Sequence, residues 1–162
     1  MQSKMGILPE AEFYRKLDKV LPGGIYEQAR KDPKRRIYFT RISIEGLEEM
    51  HAYSTDKRLY EYFEYEPFKK IDDTRQYLQK LIDLEGNDPD ERTAICWFTR
   101  RFKDDKMIGT ARLVNIDYSR QSVEWGYGID PKLWGLGYIL EIQESLKEYV
   151  FDFLKINRLW GG

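Results

Sequence analysis

The sequence has little of two residue types that mark many catalytic and metal-binding proteins. It contains one cysteine, Cys96, and one histidine, His51, among 162 residues. A single thiol permits no intrachain disulfide, and one cysteine far from one histidine supports neither a cysteine–histidine dyad nor zinc-ligand spacing. We therefore expect no metal centre, a surface or packing role for His51, and a reducing compartment, the cytoplasm, as the location.

Long apolar runs and an excess of one charge are also missing. No run is long enough to cross a bilayer, and the first residues lack a signal-peptide pattern. The 27 basic residues balance 28 acidic ones, so no overall field recruits nucleic acid or an anionic membrane. The basic cluster from Arg30 to Arg36 leaves nucleic-acid binding open as an alternative, although a solvated linker is the preferred interpretation.

What the sequence does contain is enough apolar and aromatic material for one folded domain, 41% and 15% of its residues. Its most informative stretch begins at Ser122. Large apolar residues alternate there with polar residues and glycines, which predicts a strand with one apolar face. Asp130-Pro131 ends this strand. A helical period then follows a loop containing Gly135 and Gly137, and it predicts an amphipathic helix of about five turns. The expected buried stripe of that helix consists of Ile139, Ile142, Leu146, Tyr149 or Val150, and Phe153.

A strand, a glycine-containing loop and the start of a helix together favour anion binding. First-turn amides have no intrahelical partner, the helix dipole is positive there, and glycines admit a bulky phosphate. The stretch has no Gly-Lys-Ser/Thr of a P-loop, and Gly135-Leu136-Gly137 lacks the third glycine of a dinucleotide fingerprint. A tight turn whose glycines serve only packing is the alternative.

These residues carry a resemblance to a known family. Asp130-Pro131, the segment from Lys132 to Tyr138, and Glu141 resemble the acyl-CoA-binding motif of the GNAT superfamily, Arg/Gln-x-x-Gly-x-Gly/Ala. The Trp-Gly-x-Gly-Tyr form is similar to the branch of ribosomal-protein and polyamine N-acetyltransferases, with Lys132 as a mild departure. The resemblance implies that strand backbone at Tyr127, Gly128 and Ile129 meets the pantetheine. It also implies that the CoA pyrophosphate is held at Lys132, Leu133, Trp134, Gly135, Leu136, Gly137 and Tyr138.

The order of elements is typical of the front half of the same fold. A first strand from Arg36 to Ser43 precedes helices, including one opened by a capping box at Asp73, and an antiparallel meander leads to the long helix. We therefore predict an α/β (α+β) domain with a mixed, mainly antiparallel sheet flanked by helices.

The resemblance covers residues 36–162, and residues 1–35 are predicted to be a helical appendage and linker. The resemblance implies that a fifth strand begins near Asn157 and that the C-terminal strands of a complete member are lacking. We expect either a homodimer that completes the sheet, or packing of the appendage where those strands would lie.

The resemblance implies acetyl-CoA-dependent transfer of an acetyl group to a primary amine: a small amine, an amino sugar or a protein N-terminus. Glu124 is the candidate general base, with a cross-strand partner for a basic residue as the alternative. Whether Tyr127 or Tyr138 serves as the acid is left open. The aromatic and acidic segment from Tyr60 to Tyr65 suits a cationic acceptor or, alternatively, helix packing. A second hypothesis is an inactive remnant that binds CoA or has a structural role.

Overall fold

One mixed sheet of five strands forms the centre of the molecule. The computed structural model describes residues 6–24, 26–60 and 68–161, and the strands lie in the sheet in chain order. They are β1 Ile37–Arg41, β2 Ile95–Arg101, β3 Met107–Asp117, β4 Ser122–Ile129 and β5 Arg158–Trp160. β1 to β4 are antiparallel neighbours, whereas β5 pairs with β4 in parallel. The predicted mixed, mainly antiparallel sheet is confirmed.

Helices cover both faces of this sheet. They are α1 Glu10–Lys19, α2 Tyr26–Ala29, α3 Leu47–Ser54, α4 Ile71–Glu85 and α5 Tyr138–Lys147, and a π-helical turn, Glu148–Phe153, extends α5. One core lies under α1 and α5, and a second lies under α3 and α4. Strand β2 shows the arrangement most clearly, because Trp97 is buried in the first core and Phe98 in the second. A strand whose two faces are both covered has apolar residues at consecutive positions rather than at alternate ones.

Helix α1 is part of the first core. Phe13 and Leu17 are 0% and 1% exposed, and the hydroxyl of Tyr149 donates a 2.6 Å hydrogen bond to the carbonyl of Val20. Arg92, a buried residue, forms a 2.5 Å ion pair with Asp18 of the same helix. The first helix is therefore held by apolar and charged contacts, while a domain boundary at residue 35 stays a prediction.

Helix α4 starts earlier than the sequence predicts. It begins at Ile71, and Asp73 lies inside its first turn. The carboxylate of Asp73 accepts a hydrogen bond of 3.2 Å from the backbone N–H of Lys70, so it caps the helix from within. Near the end of the helix, Leu84 is 50% exposed. The predicted aromatic and acidic segment lies mostly at 61–65, outside the described residues.

The long C-terminal helix also differs from its prediction. Its α-helical part ends at Lys147, and the wider π turn closes with the Leu154 N–H bonded to the Tyr149 carbonyl at 2.8 Å. A π turn shifts the helical register. Tyr149 and Val150 therefore stay buried while Phe153, expected on the same stripe, is 37% exposed. None of the described helices is long and apolar enough to cross a bilayer.

Candidate active site between strand β4 and helix α5

Asp130, at the end of β4, organises the loop that leads to α5. Its carboxylate accepts from the N–H of Lys132 at 3.0 Å, and its carbonyl accepts from the N–H of Leu133 at 2.9 Å. The N–H of Trp134 bonds to the Pro131 carbonyl at 3.2 Å. The amides of Leu133 and Trp134 are thus satisfied within the turn, which differs from the prediction that they face a ligand.

The next two glycines, Gly135 and Gly137, give the loop a conformation that leaves space beside it. Gly135 and Gly137 have φ of 82° and 84°, and Gly137 is the N-cap of α5 with no side-chain cap. Such left-handed conformations favour glycine. Among the described residues, no acceptor bonds the backbone N–H groups of residues 135–140. A Cβ added to Gly135 would meet nothing within 4 Å, so open space lies beside the unpaired amides and the positive helix end.

An arginine that is distant in the sequence, Arg36, lies beside the start of α5. The Nε and Nη2 atoms of Arg36 are 2.6 and 2.5 Å from the carboxylate of Glu141, and its guanidinium lies 4.2 Å from the centre of the Tyr138 ring. Nη2 would be 3.1 Å from a Cβ at Gly137. Sequence reasoning did not place Arg36 in the site, because nothing local links it to α5.

Two further residues of the basic cluster also have contacts. Arg35 lies 3.7 Å from Asp32 and 3.6 Å from Glu148, and Arg30 lies against the ring of Tyr26. Part of the positive charge of this cluster is therefore balanced by neighbouring carboxylates.

Strand β5 pairs with only the first part of β4. Their pairing includes Glu124 with Trp160 and ends there. Beyond this pair, the Nε1 of Trp125 donates to the Gly161 carbonyl at 3.0 Å. Within the described part of the chain, the outer edge of β4 from Tyr127 to Ile129 has no strand partner.

A cavity of about 120 Å³ lies on the α3 and α4 side of β4. Its wall is mostly aromatic and apolar, and the lining consists of Met50, Tyr53, Ser54, Leu59, Phe68, Tyr77, Thr110, Arg112, Tyr127 and Gly128. The side chain of Tyr127 belongs to the first core, on the opposite face of β4, where its hydroxyl accepts from Gln143 at 2.5 Å. The strand backbone therefore separates this cavity from α5.

Glu124 lies on the cavity face of β4, because side chains alternate along a strand and Glu124, Gly126 and Gly128 share one side. Its half-buried carboxylate accepts a hydrogen bond from Asn115 at 3.0 Å. No ion pair between Glu124 and a basic residue is found within the described ranges. Its role as general base stays a prediction, as do acid roles for Tyr127 and Tyr138.

The single histidine and the single cysteine of the sequence both lie where they suit a structural role. The Nδ1 of His51 lies 2.7 Å from the hydroxyl of Thr74, which links α3 to α4. Cys96 is buried in β2, and burial raises the pKa of its thiol to about 12. No cluster of three or more His, Cys, Asp or Glu side chains suited to a metal occurs in the part of the chain that the structure describes.

Comparison with known proteins adds a family match. The sequence profile described as an acetyltransferase (GNAT) domain matches residues 36–162. An uncharacterized N-acetyltransferase p20 of Bacillus licheniformis is 26% identical over 124 residues, which are 76% of this chain and 67% of that protein.

Solved structures share the fold at lower identity. An acetyltransferase (GNAT family) from Bacillus anthracis superposes with a TM-score of 0.62 at 18% identity, over 77% of this chain and 68% of the other. A spermidine N-acetyltransferase from Vibrio cholerae, in complex with CoA and spermine, gives 0.59 at 18% identity, over 76% and 69%. These likenesses support the fold, and each relative extends beyond the matched part.

Proposed function

Because this chain belongs to the acetyltransferase (GNAT) family, we propose that it transfers an acetyl group from acetyl-CoA to a primary amine. The observation that carries the proposal is the run of amides at residues 135–140, which no acceptor among the described residues bonds and which lies beside open space at the start of α5. Acceptors of three kinds fit the proposal as it stands: a small amine, an amino sugar or a protein N-terminus.

The loop residues fit a diphosphate. Backbone N–H groups of Gly135, Leu136, Gly137 and Tyr138 would hold its oxygens, and the helix dipole would add a favourable field. The ammonium of Lys132, an exposed residue at the rim, supplies a positive charge. Arg36 offsets the carboxylate of Glu141, which would otherwise repel an anion at this helix end.

The edge of β4 would hold the extended arm of the coenzyme. The backbone of Tyr127, Gly128 and Ile129 has donors and acceptors without a strand partner among the described residues, and an amide-containing arm can pair with such an edge as an added strand does. The acyl end would then reach the glycine-rich part of β4, where the cavity begins.

Acetyl-CoA, when bound, supplies a thioester whose C–S bond is exchanged for a C–N bond to the acceptor. The protein's part is to orient the amine, to accept its proton and to exclude water. Glu124 is the residue that we propose accepts the proton, directly or through a water, because it lies on the cavity face of β4. Backbone N–H groups at the β4 edge would polarise the carbonyl.

Calorimetry with acetyl-CoA tests this site, using a matched pair of variants. Gly135→Asp and Gly135→Asn place side chains of nearly equal size at a positive φ that both residue types tolerate, in open space. Only the first adds negative charge. We expect at least about tenfold weaker binding for Gly135→Asp than for Gly135→Asn. Absence of binding to the unaltered protein, or equal binding by both variants, would contradict the proposal.

The second hypothesis, a CoA-binding or structural module without activity, is separated by a turnover assay. Release of CoA with a panel of amines, lost in Glu124→Gln while acetyl-CoA still binds, supports the enzyme. Binding without turnover of any amine favours the module. The homodimer also stays a proposal, and sedimentation of the full chain across a range of concentrations tests it.

A further inference from the structure

Arg112 is the one charged side chain among the described residues that line the cavity on the α3 and α4 side of β4. It stands on β3 directly opposite Gly126. A Cβ on Gly126 would lie 2.8 Å from its Nε atom and 2.9 Å from Cζ and Nη2. The guanidinium therefore lies over the glycine, in the space that any larger residue would fill.

The guanidinium of Arg112 has no hydrogen bond or ion pair with any described residue. Other arginines of the fold do, since carboxylates pair with Arg41 (Glu85, 3.0 Å), Arg92 (Asp18, 2.5 Å) and Arg100 (Glu49, 2.8 Å). A partly buried cation is costly unless a counter-charge lies nearby. A bound anion would offset that cost.

We propose that Arg112 binds the carboxylate of the acceptor, so that the preferred acceptor is a small aminocarboxylate rather than a polyamine. The inference rests on the proposed transferase function and deepens it. The planar fork of a guanidinium matches a carboxylate with two parallel hydrogen bonds. The same cation repels a polyamine, which carries only positive charge.

The position of Arg112 along the sheet suits such an acceptor. Gly126 and Gly128 are two residues apart on one face of β4, which is about 7 Å along a strand. A carboxylate held by Arg112 over Gly126 leaves an amine one or two carbons away within that span. The amine then points toward Gly128, near the β4 edge that has no strand partner among the described residues.

The other lining residues complete the acceptor pocket. Thr110, directly opposite Gly128, places a hydroxyl group near this end of the cavity. Phe68 and Tyr77, whose rings are 5.5 Å apart, form an aromatic wall suited to an apolar side chain. We therefore expect an aminocarboxylate with an apolar or aromatic side chain to be acetylated best.

The test compares probes that differ in the carboxylate. L-phenylalanine, L-phenylalaninamide, phenethylamine, O-phosphoethanolamine and spermidine are each offered with acetyl-CoA, and the released thiol is measured. We expect phenylalanine to exceed its amide by about tenfold or more in kcat/KM. A preference for O-phosphoethanolamine would assign Arg112 to phosphate and overturn the carboxylate assignment, and a preference for spermidine would overturn the inference entirely.

Variants of Arg112 locate the effect. Arg112→Gln should lower kcat/KM for phenylalanine by about 10- to 100-fold and so remove its advantage over the amide, whereas Arg112→Lys should retain an intermediate preference. Arg120→Gln, which removes the same charge from a side chain 82% exposed to solvent, is the control and should leave the preference intact. An equal loss for both probes in Arg112→Gln, at an unchanged melting temperature, contradicts the inference.

Direct binding separates this inference from the proposed function. Calorimetry with phenylalanine alone, in the full chain and in Arg112→Gln, requires no turnover. Binding that is lost in the variant supports the carboxylate site even if no amine is acetylated. If acetyl-CoA binds and amines are acetylated but phenylalanine neither binds nor reacts, the transferase function stands and the Arg112 inference fails.

Discussion

Arg36 and Glu141, 105 positions apart in the sequence, join the start of strand β1 to the first turn of helix α5. The backbone N–H of Arg36 lies 3.0 Å from one carboxylate oxygen of Glu141, and its Nε and Nη2 atoms lie 2.6 and 2.5 Å from the other. This geometry fixes the distance between β1 and the proposed diphosphate loop. It also sets a positive charge against the single first-turn acid of α5.

Replacing Arg36 with methionine should weaken acetyl-CoA binding and should have only a small effect on the stability of the fold. The two side chains are 44% and 23% exposed, so solvent screening limits the pair to about 1 kcal/mol of stability. The uncompensated carboxylate of Glu141 would then repel the diphosphate, and we expect affinity to fall by about 3- to 10-fold at low salt.

The Arg36→Met, Glu141→Gln double variant is the control for this prediction. It removes both charges, so calorimetry should find most of the lost affinity restored. If the double variant binds acetyl-CoA as weakly as Arg36→Met does, then Arg36 acts by direct contact or by geometry rather than by charge compensation.

Gly109 of β3 and Gly128 of β4 lie on neighbouring strands, and we expect them to respond differently to substitution by alanine. A Cβ on Gly109 of β3 would stand 2.1 Å from the backbone oxygen of Gly128, whereas a Cβ on Gly128 would meet nothing within 4 Å. Gly109→Ala should therefore force β3 and β4 apart and cost about 1–3 kcal/mol or more. Gly128→Ala should fold normally and place a methyl group at the cavity wall.

Urea unfolding and acceptor kinetics together check this pair. The expected outcome is a lower urea midpoint for Gly109→Ala only, and a raised acceptor KM for Gly128→Ala only. Equal midpoints for the two variants would contradict the close approach of β3 to β4 at this point.

The sequence predicts the centre of the site well because the signals there are local. Alternation along residues 122–129, the Asp130-Pro131 stop and the glycines before a helical period are each read from a few neighbouring residues, and the structure places β4, a turn and α5 in that order. The side-chain cap that Asp130 gives its own turn is also a local pattern. This pattern could have shown in advance that the backbone N–H groups just after Asp130 form hydrogen bonds within the turn.

What the sequence could not predict depends on pairing between distant segments. Arg112 covers Gly126 only because β3 and β4 adopt one register, and Arg36 reaches Glu141 only because β1 begins beside α5. The π turn at 148–153 lies against the end of α1, where the Tyr149 hydroxyl reaches the Val20 carbonyl. None of these relationships has a short-range signature.

Truncation of Phe13 should show that helix α1 stabilises the domain. Its ring is 0% exposed and lies 5.3 Å from the ring of Tyr118. Phe13→Ala should lower the free energy of unfolding by about 3–5 kcal/mol, because it removes buried area and leaves a cavity. Arg15→Ala, on the exposed side of the same helix, should change it by less than about 0.5 kcal/mol. A two-step unfolding curve in which Phe13→Ala alters only one step would instead indicate an independent appendage.

Alkaline pH should destabilise the fold through Cys96 and Tyr149. Burial raises the pKa of the Cys96 thiol to about 12, and burial also raises the pKa of Tyr149 above its usual value. The unfolded chain loses the thiol proton near pH 8.5 and the phenol proton near pH 10, so above these values it binds fewer protons than the folded chain does. Stability is therefore complete below about pH 8 and falls as pH rises.

Cys96 should account for about 1–2 kcal/mol of that loss by pH 10. Urea unfolding from pH 7 to 10 checks it, with Cys96→Ala as the comparison, because alanine does not titrate and the variant should show a flatter decline. The native thiol should also resist an aromatic disulfide reagent at pH 8 until urea is added, since the thiolate is the reactive form. An unchanged slope in Cys96→Ala, or rapid labelling of the native protein, would show that the thiol titrates near its ordinary pKa and that the core around β2 admits water.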